Sequence, residues 1–183
     1  MTHYVALLRG INVGGKNSLP MQDLRDILGS LGCENVHTYI QSGNAVFRSA
    51  ANAESLAEAI KNAIEKRFGF APLVLLLDAA KFKAIAASNP YPHAEGTPKF
   101  LHVWFLTEIP KSPDLEALEH VRAASEKFIL LDDAFYLHAP EGIGRSRLAV
   151  KVDRCLGVAT TARNWRTVSK LLAISDSALR QMS

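Results

Sequence analysis

Gly10-Ile11-Asn12-Val13-Gly14-Gly15-Lys16 fits the pattern G-x-x-x-x-G-K and follows an apolar run directly. In a nucleotide-binding loop of that type, glycine N–H groups cradle the phosphates and the lysine adds charge. The run LVLLLD, ending at Asp78, resembles the strand and acid that support a magnesium ion in such enzymes. Two departures count against an NTPase. Asn17 stands where a Ser or Thr hydroxyl would ligate the metal. Pro20 moves the helix start past the Gly-Lys pair, so the helix end no longer faces the phosphates. A divergent P-loop-like NTPase is therefore the lesser alternative. The loop can still bind an anion through its backbone N–H groups, with Arg9 and Lys16 adding charge. The competing reading is a plain turn, in which Gly14-Gly15 leads the strand into the helix.

A second polar concentration is Thr160-Thr161-Ala162-Arg163-Asn164-Trp165-Arg166-Thr167. Thr161 is placed to cap a last helix, with Arg163, Asn164 and Arg166 near its positive end. Cations there oppose the helix dipole, which suits a bound anion better than a purely structural role. The structural alternative has Trp165, Val168, Leu171 and Leu172 docking the helix while the arginines meet acids elsewhere.

Other chemistry is sparse. Histidines 3, 37, 93, 102, 120 and 138 show no i, i+4 pairing and no carboxylate at ligand spacing, so no metal is expected. His37, His102 and His138 fall within expected strands as hydrogen-bonded structural groups. Cys33 and Cys155 sit at helix ends and read as buried thiols. Ser42 lies in a tight turn, and Asp132-Asp133 reads as turn chemistry. Tyr4 and Phe47 lack the basic-aromatic spacing of an RNA-binding sheet.

The charge is unevenly distributed. The net +3 of the 183 residues divides into +1 over residues 1–50, −3 over 51–139 and +5 over 140–183. A basic C-terminal segment of this kind can attract phosphate-bearing ligands, the alternative being a solvated helix face. An apolar content of 48% and two cysteines exclude disorder, a disulfide scaffold and a Cys-based zinc module. No apolar run approaches the roughly 18 residues of a membrane span. MTHYVALLRG lacks a signal peptide's basic start and cleavage site. The expectation is a soluble cytoplasmic protein with no membrane association.

Elements must position these loops. YVALLR reads as a buried strand. Met21, Leu24, Ile27, Leu28 and Leu31 line one helix face, with Ser18 a candidate cap and Gly32 the stop. VHTYIQ and NAVFRS flank Ser42-Gly43 as a hairpin, and Asn52 caps a long helix that leads to the strand LVLLL. This order is β-α-β-β-α-β, the ferredoxin-like pattern. After a short helix near 79–87 and the breaker-rich NPYPHAEGTP, the pattern starts again. FLHVWFL, LEALEHVRAA, KFILL and AFYLHA follow, then a helix near 145–156, an extended piece near 158–161 and a helix from about 164 to 173. The expected architecture is α+β, two ferredoxin-like halves related by duplication, with extra C-terminal helices. Residues 1–88 would form the first half and 89–183 the second.

The chain resembles the domain of unknown function 1697 family, small bacterial proteins of about this length. The resemblance rests on ALLRGINVGGKN (6–17), TYIQSGN (38–44), NPYP (89–92), FLHVWFL (100–106), GIGRSRL (142–148) and TARNWRTV (161–168). Ala159 stands where the family commonly has Pro, and Arg147 where it has Lys. The resemblance implies a cofactor-free α+β protein with a duplicated arrangement, and it carries no activity.

These lines converge on a phosphate-bearing ligand, a nucleotide or a nucleic-acid segment. Arg9, Gly14, Gly15, Lys16, Ser42, Arg145, Ser146, Arg163 and Arg166 surround the expected site, with Lys16 and Arg163 on phosphate. Asn12, Gln41, Asn44 and Asn164 would supply directional hydrogen bonds. The rival is a protein-interaction or structural module, for instance a homodimer, without a small ligand. An enzyme lacks an obvious His, Cys or paired-carboxylate constellation.

Overall fold

Eight residues of unbroken β pattern open the chain as β1 (Thr2–Arg9), with Tyr4 to Leu8 buried. The structure, a computed structural model, describes residues 1–180. α1 (Met21–Ser30) buries Met21, Leu24, Ile27 and Leu28, the face expected from their spacing. Its cap differs from expectation. Pro20 occupies the cap position without a side-chain bond, and Ser18 is exposed. Proline suits this place because the first helical N–H groups have no intrahelical partner to lose.

β2 (Glu34–Tyr39) and β3 (Asn44–Ser49) form the expected hairpin, with Tyr39 opposite Asn44. α2 (Ala53–Phe68) starts at Asn52, whose Oδ1 accepts from the Ser55 N–H at 2.9 Å. β4 (Leu73–Asp78) then pairs with β1, and α3 (Ala79–Ala87) follows. The first sheet is antiparallel throughout, in the order β2-β3-β1-β4. Tyr4, Ala6 and Leu8 face a core that includes Leu24, Leu28, Leu56 and Ile60.

The second sheet is built from β5 (Leu101–Leu106), β6 (Lys127–Leu131), β7 (Ala134–His138) and β8 (Thr160–Asn164), in the order β6-β7-β5-β8. α4 (Leu115–Val121) and α5 (Arg147–Leu156) cover one face, where Trp104, Phe135, Leu148 and Val152 share a core. On the chain's other side, the buried Tyr136 hydroxyl donates to the Ile85 carbonyl at 2.5 Å. α6 (Trp165–Arg180) closes the described chain; the side chain of Arg180, one of the C-terminal basic residues, lies outside the described part.

Two expectations about the C-terminus need correction. Thr161 and Arg163 belong to a strand, not to a helix start, because Phe105 and Val103 pair with them. The cap of α6 is Asn164, whose Oδ1 accepts from the Thr167 N–H at 3.0 Å. The architecture is thus α+β: two four-stranded antiparallel sheets and six α-helices among the described residues. The chain divides into two compact units. The first comprises Met1–Ala84 with Lys170–Ser183, and the second Ile85–Ser169.

Candidate functional site

Beyond β1 the chain reverses in a miniature hairpin. Val13 and Lys16 form an isolated antiparallel bridge, and the Lys16 N–H donates to the Val13 carbonyl at 3.0 Å. Gly14 and Gly15 have φ of +58° and +73°, the left-handed pair that a tight two-residue hairpin turn requires. At the base, the Asn12 N–H donates to the Asn17 carbonyl at 3.0 Å, and Asn17 Nδ2 donates to the Gly10 carbonyl at 2.7 Å. Gly14-Gly15 is therefore the tip of a hairpin rather than a strand-to-helix turn. α1 begins only at Met21, so the loop does not run straight into a helix as a P-loop does.

Asn12 ties this hairpin to the β2–β3 connection. Its Nδ2 donates to the Leu19 and Gln41 carbonyls, and its Oδ1 accepts from the Leu19 N–H. In the connection, Ile40 has φ +48°, a region that a β-branched residue rarely occupies. Gly43 has φ +76°, and its carbonyl accepts from the Leu8 N–H at 2.8 Å. Asn44 is fully buried, with Nδ2 donating to the Tyr39 carbonyl and to Ser42 Oγ. Strained backbone held by its surroundings is concentrated at functional sites, which marks this rim as the candidate surface.

The Asn12 and Asn44 amides hold the backbone of the rim. What the rim presents outward is Val13, 69% exposed, Gly14, Gly15, Lys16, Ile40, 50% exposed, Gln41 and Ser42. Arg9 is also exposed. The Gly14 and Gly15 N–H groups have no hydrogen-bond partner among the described residues. Lys16 makes no ion pair among them. Nothing in the sequence signalled Ile40, since β-branched residues favour strands.

The second unit contains the other expected residues. Arg145 and Arg166 are exposed. Ser146 is buried and caps α5, its Oγ accepting from the Ala149 N–H at 3.0 Å. Asn164 caps α6. Arg163 is 9% exposed, with Nη1 donating to Thr161 Oγ1 at 2.9 Å and to the Ala162 carbonyl at 2.8 Å. Burial pulls its pKa down to about 10, so it stays charged at neutral pH. Arg163 lies opposite Val103, whereas Trp104, beside α5, lies opposite Ala162. Alternation along β8 therefore puts Arg163 and the Arg145-Ser146 corner on opposite faces of the second sheet.

The histidines divide by environment. His102 is buried beside Trp104, and burial lowers its pKa to about 4, against a raising backbone hydrogen bond at Phe100. Its Nδ1 has no hydrogen-bond partner among the described residues. His138 lies against His93, with ring centroids 5.5 Å apart, and its pKa is lowered by burial and then by His93 and Lys127. His37 is exposed on β2. No group of three or more His, Cys, Asp or Glu able to hold a metal ion occurs among the described residues. Cys33 and Cys155 are buried free thiols. No helix among the described residues is long and apolar enough to cross a membrane.

Two antiparallel four-stranded sheets, with a hairpin rim at one end of the first, define an α+β protein. The family model that matches it, over residues 1–136, is described as "Protein of unknown function (DUF1697)", and the chain belongs to that family. Among solved structures it is similar to a conserved bacterial protein from Streptococcus pneumoniae. The TM-score is 0.73 at 26% sequence identity, covering 95% of this chain and 98% of the other. No curated protein matches the chain in sequence.

Proposed function

We propose that the protein binds a phosphate-bearing ligand, a nucleotide or a nucleic-acid segment, at the hairpin rim of the first unit. One observation carries this reading: two unpartnered N–H groups stand beside Lys16 on a loop braced by Asn12 and Asn17. Donors fixed before binding need little ordering when an anion arrives. Backbone N–H groups next to a cation are a chemistry anions recognise. Arg9, Gln41 and Ser42 border the same rim. The protein acts in the cytoplasm and without a cofactor in this reading. Both sheets follow one order, each the arrangement of a ferredoxin-like βαββαβ half, which supports an origin by duplication.

A thermal-shift screen of nucleotides, phosphosugars and short oligonucleotides at low and moderate salt tests this. A ligand at 100 times its dissociation constant should add about 2.7 kcal/mol. Lys16→Ala should weaken binding by about 1 kcal/mol, roughly fivefold. For a nucleic acid it should also reduce the salt slope by about one. Affinity that ignores both ionic strength and Lys16→Ala overturns the reading.

Exposed Val13 and Ile40 support a second reading, a protein partner at the same rim. It predicts no shift with any phosphate compound, and loss of a complex on Val13→Ser with Ile40→Ser.

A further inference from the structure

β6 is an outer strand, paired with β7 alone in its sheet. Neighbouring hydrogen bonds reveal which way its backbone groups point. The Leu106 N–H donates to the Asp133 carbonyl and the Ala139 N–H to the Phe100 carbonyl. Odd-numbered residues of this stretch thus bond toward β5, which leaves Ala134, Tyr136 and His138 to bond β6. Their partners are Leu131, Ile129 and Lys127. The N–H and carbonyl groups of Phe128 and Leu130 therefore point away from the sheet. On one face of this edge, Ile129 and Leu131 are 38% and 40% exposed. An exposed apolar pair on an outer strand invites strand addition.

We propose that this edge docks a second copy of the same chain, β6 pairing antiparallel with its twin about Leu130. Three matches select that partner and register. Leu130 meets the Leu130 of the other copy, so outward N–H and carbonyl groups meet their complements. Ile129 lies opposite the other copy's Leu131, on the same face, and the two-fold symmetry repeats that contact. The segment Lys127-Phe128-Ile129-Leu130-Leu131-Asp132-Asp133 begins basic and ends acidic. Antiparallel pairing sets Lys127 against the acidic turn of the other copy, where a parallel partner would set like charge against like. The surface lies in the second unit and uses none of the rim residues, so either proposal can fail alone.

Analytical ultracentrifugation of the full chain over a wide concentration range tests the proposal. A monomer–dimer equilibrium is expected, with Ile129→Lys raising the dimer dissociation constant by about tenfold or more. Its melting should stay near that of the parent, because Ile129 is partly exposed. Val150→Lys, at a position 85% exposed on α5, should leave the dimer intact. Oxidative cross-linking reports the register. In this register Ile129 and Leu131 form a non-hydrogen-bonded pair, with Cα atoms about 4.5 Å apart, a separation a disulfide can span. Copies carrying Ile129→Cys should link to copies carrying Leu131→Cys, and neither should link to itself. A chain that stays monomeric throughout, a dimer indifferent to Ile129→Lys, or self-linking of Ile129→Cys copies would each overturn the proposal.

Discussion

Asn12 Nδ2 donates to the Gln41 carbonyl at 2.7 Å and joins two loops that lie 29 residues apart in the chain. The same side chain makes two more bonds to Leu19, at 2.9 and 2.8 Å, and its own φ is +52°. Asn12→Ala removes all three bonds and leaves alanine in a left-handed conformation. A loss of about 2–4 kcal/mol is expected, from about 1 kcal/mol per bond and about 1 for the backbone. Asn12→Gly should recover only the backbone part. Urea denaturation of both variants measures this, and an Asn12→Ala midpoint equal to the parent's contradicts it.

Gly43 and Gly14 share a positive φ but not a crowded environment. A Cβ at Gly43 would lie 2.7 Å from both Ile11 Cδ1 and Leu8 Cβ, whereas one at Gly14 meets nothing within 4 Å. Gly43→Ala is expected to lower stability by about 2–4 kcal/mol, combining left-handed strain with overpacking. Gly14→Ala should lower it by about 1 kcal/mol. Equal thermal melting of the two variants would count against this packing.

His102 gives the fold an acid sensitivity. Its folded-state pKa of about 4 lies below the ordinary 6.5, so the unfolded chain takes up a proton first as the pH falls. Its contribution is complete above pH 6.5 and disappears as the pH drops to about 4. The full effect is about 3 kcal/mol, at about 1.4 kcal/mol per pH unit. Unfolding free energies measured across that window should show a shallower slope in His102→Gln. An unchanged slope means that other groups account for the acid loss.

Arg163 is buried and Arg166 exposed, so the two substitutions should differ in their effect on folding. Arg163→Ala abandons two bonds from a buried charged group, each worth about 1.5–3 kcal/mol, and should lower stability measurably. Arg166→Ala changes an exposed side chain and should stay within about 0.5 kcal/mol of the parent. A weakened ligand affinity in Arg163→Ala must therefore be compared with its melting. If Arg163→Ala unfolds at the parent's midpoint, its burial does not stabilise the fold as described.

The elements could be read from the sequence where local patterns and local partners coincide. Asn52 and Gly69 bound α2 through contacts within a few residues, and the α1 face follows from apolar spacing alone. Thr161 could not be read this way. A threonine before a polar, helix-forming run looks like a cap, and only pairing with Phe105, far away in the chain, makes it a strand residue. The rim shows the same limit. Gly14-Gly15 announced a turn, but the role of Asn12 depends on where the β2–β3 connection falls. Ile40 gives no hint of a left-handed backbone, because its residue type argues for the opposite.

α6 starts in the second unit, and from Lys170 onward its residues belong to the first. The first unit therefore consists of the earliest and the latest stretches of the described chain. During synthesis its opening residues leave the ribosome long before the segment that completes them. The second unit, continuous from Ile85 to Ser169, has all its residues sooner and can fold first. Cutting the chain after the first sheet would produce an incomplete unit rather than a separable half.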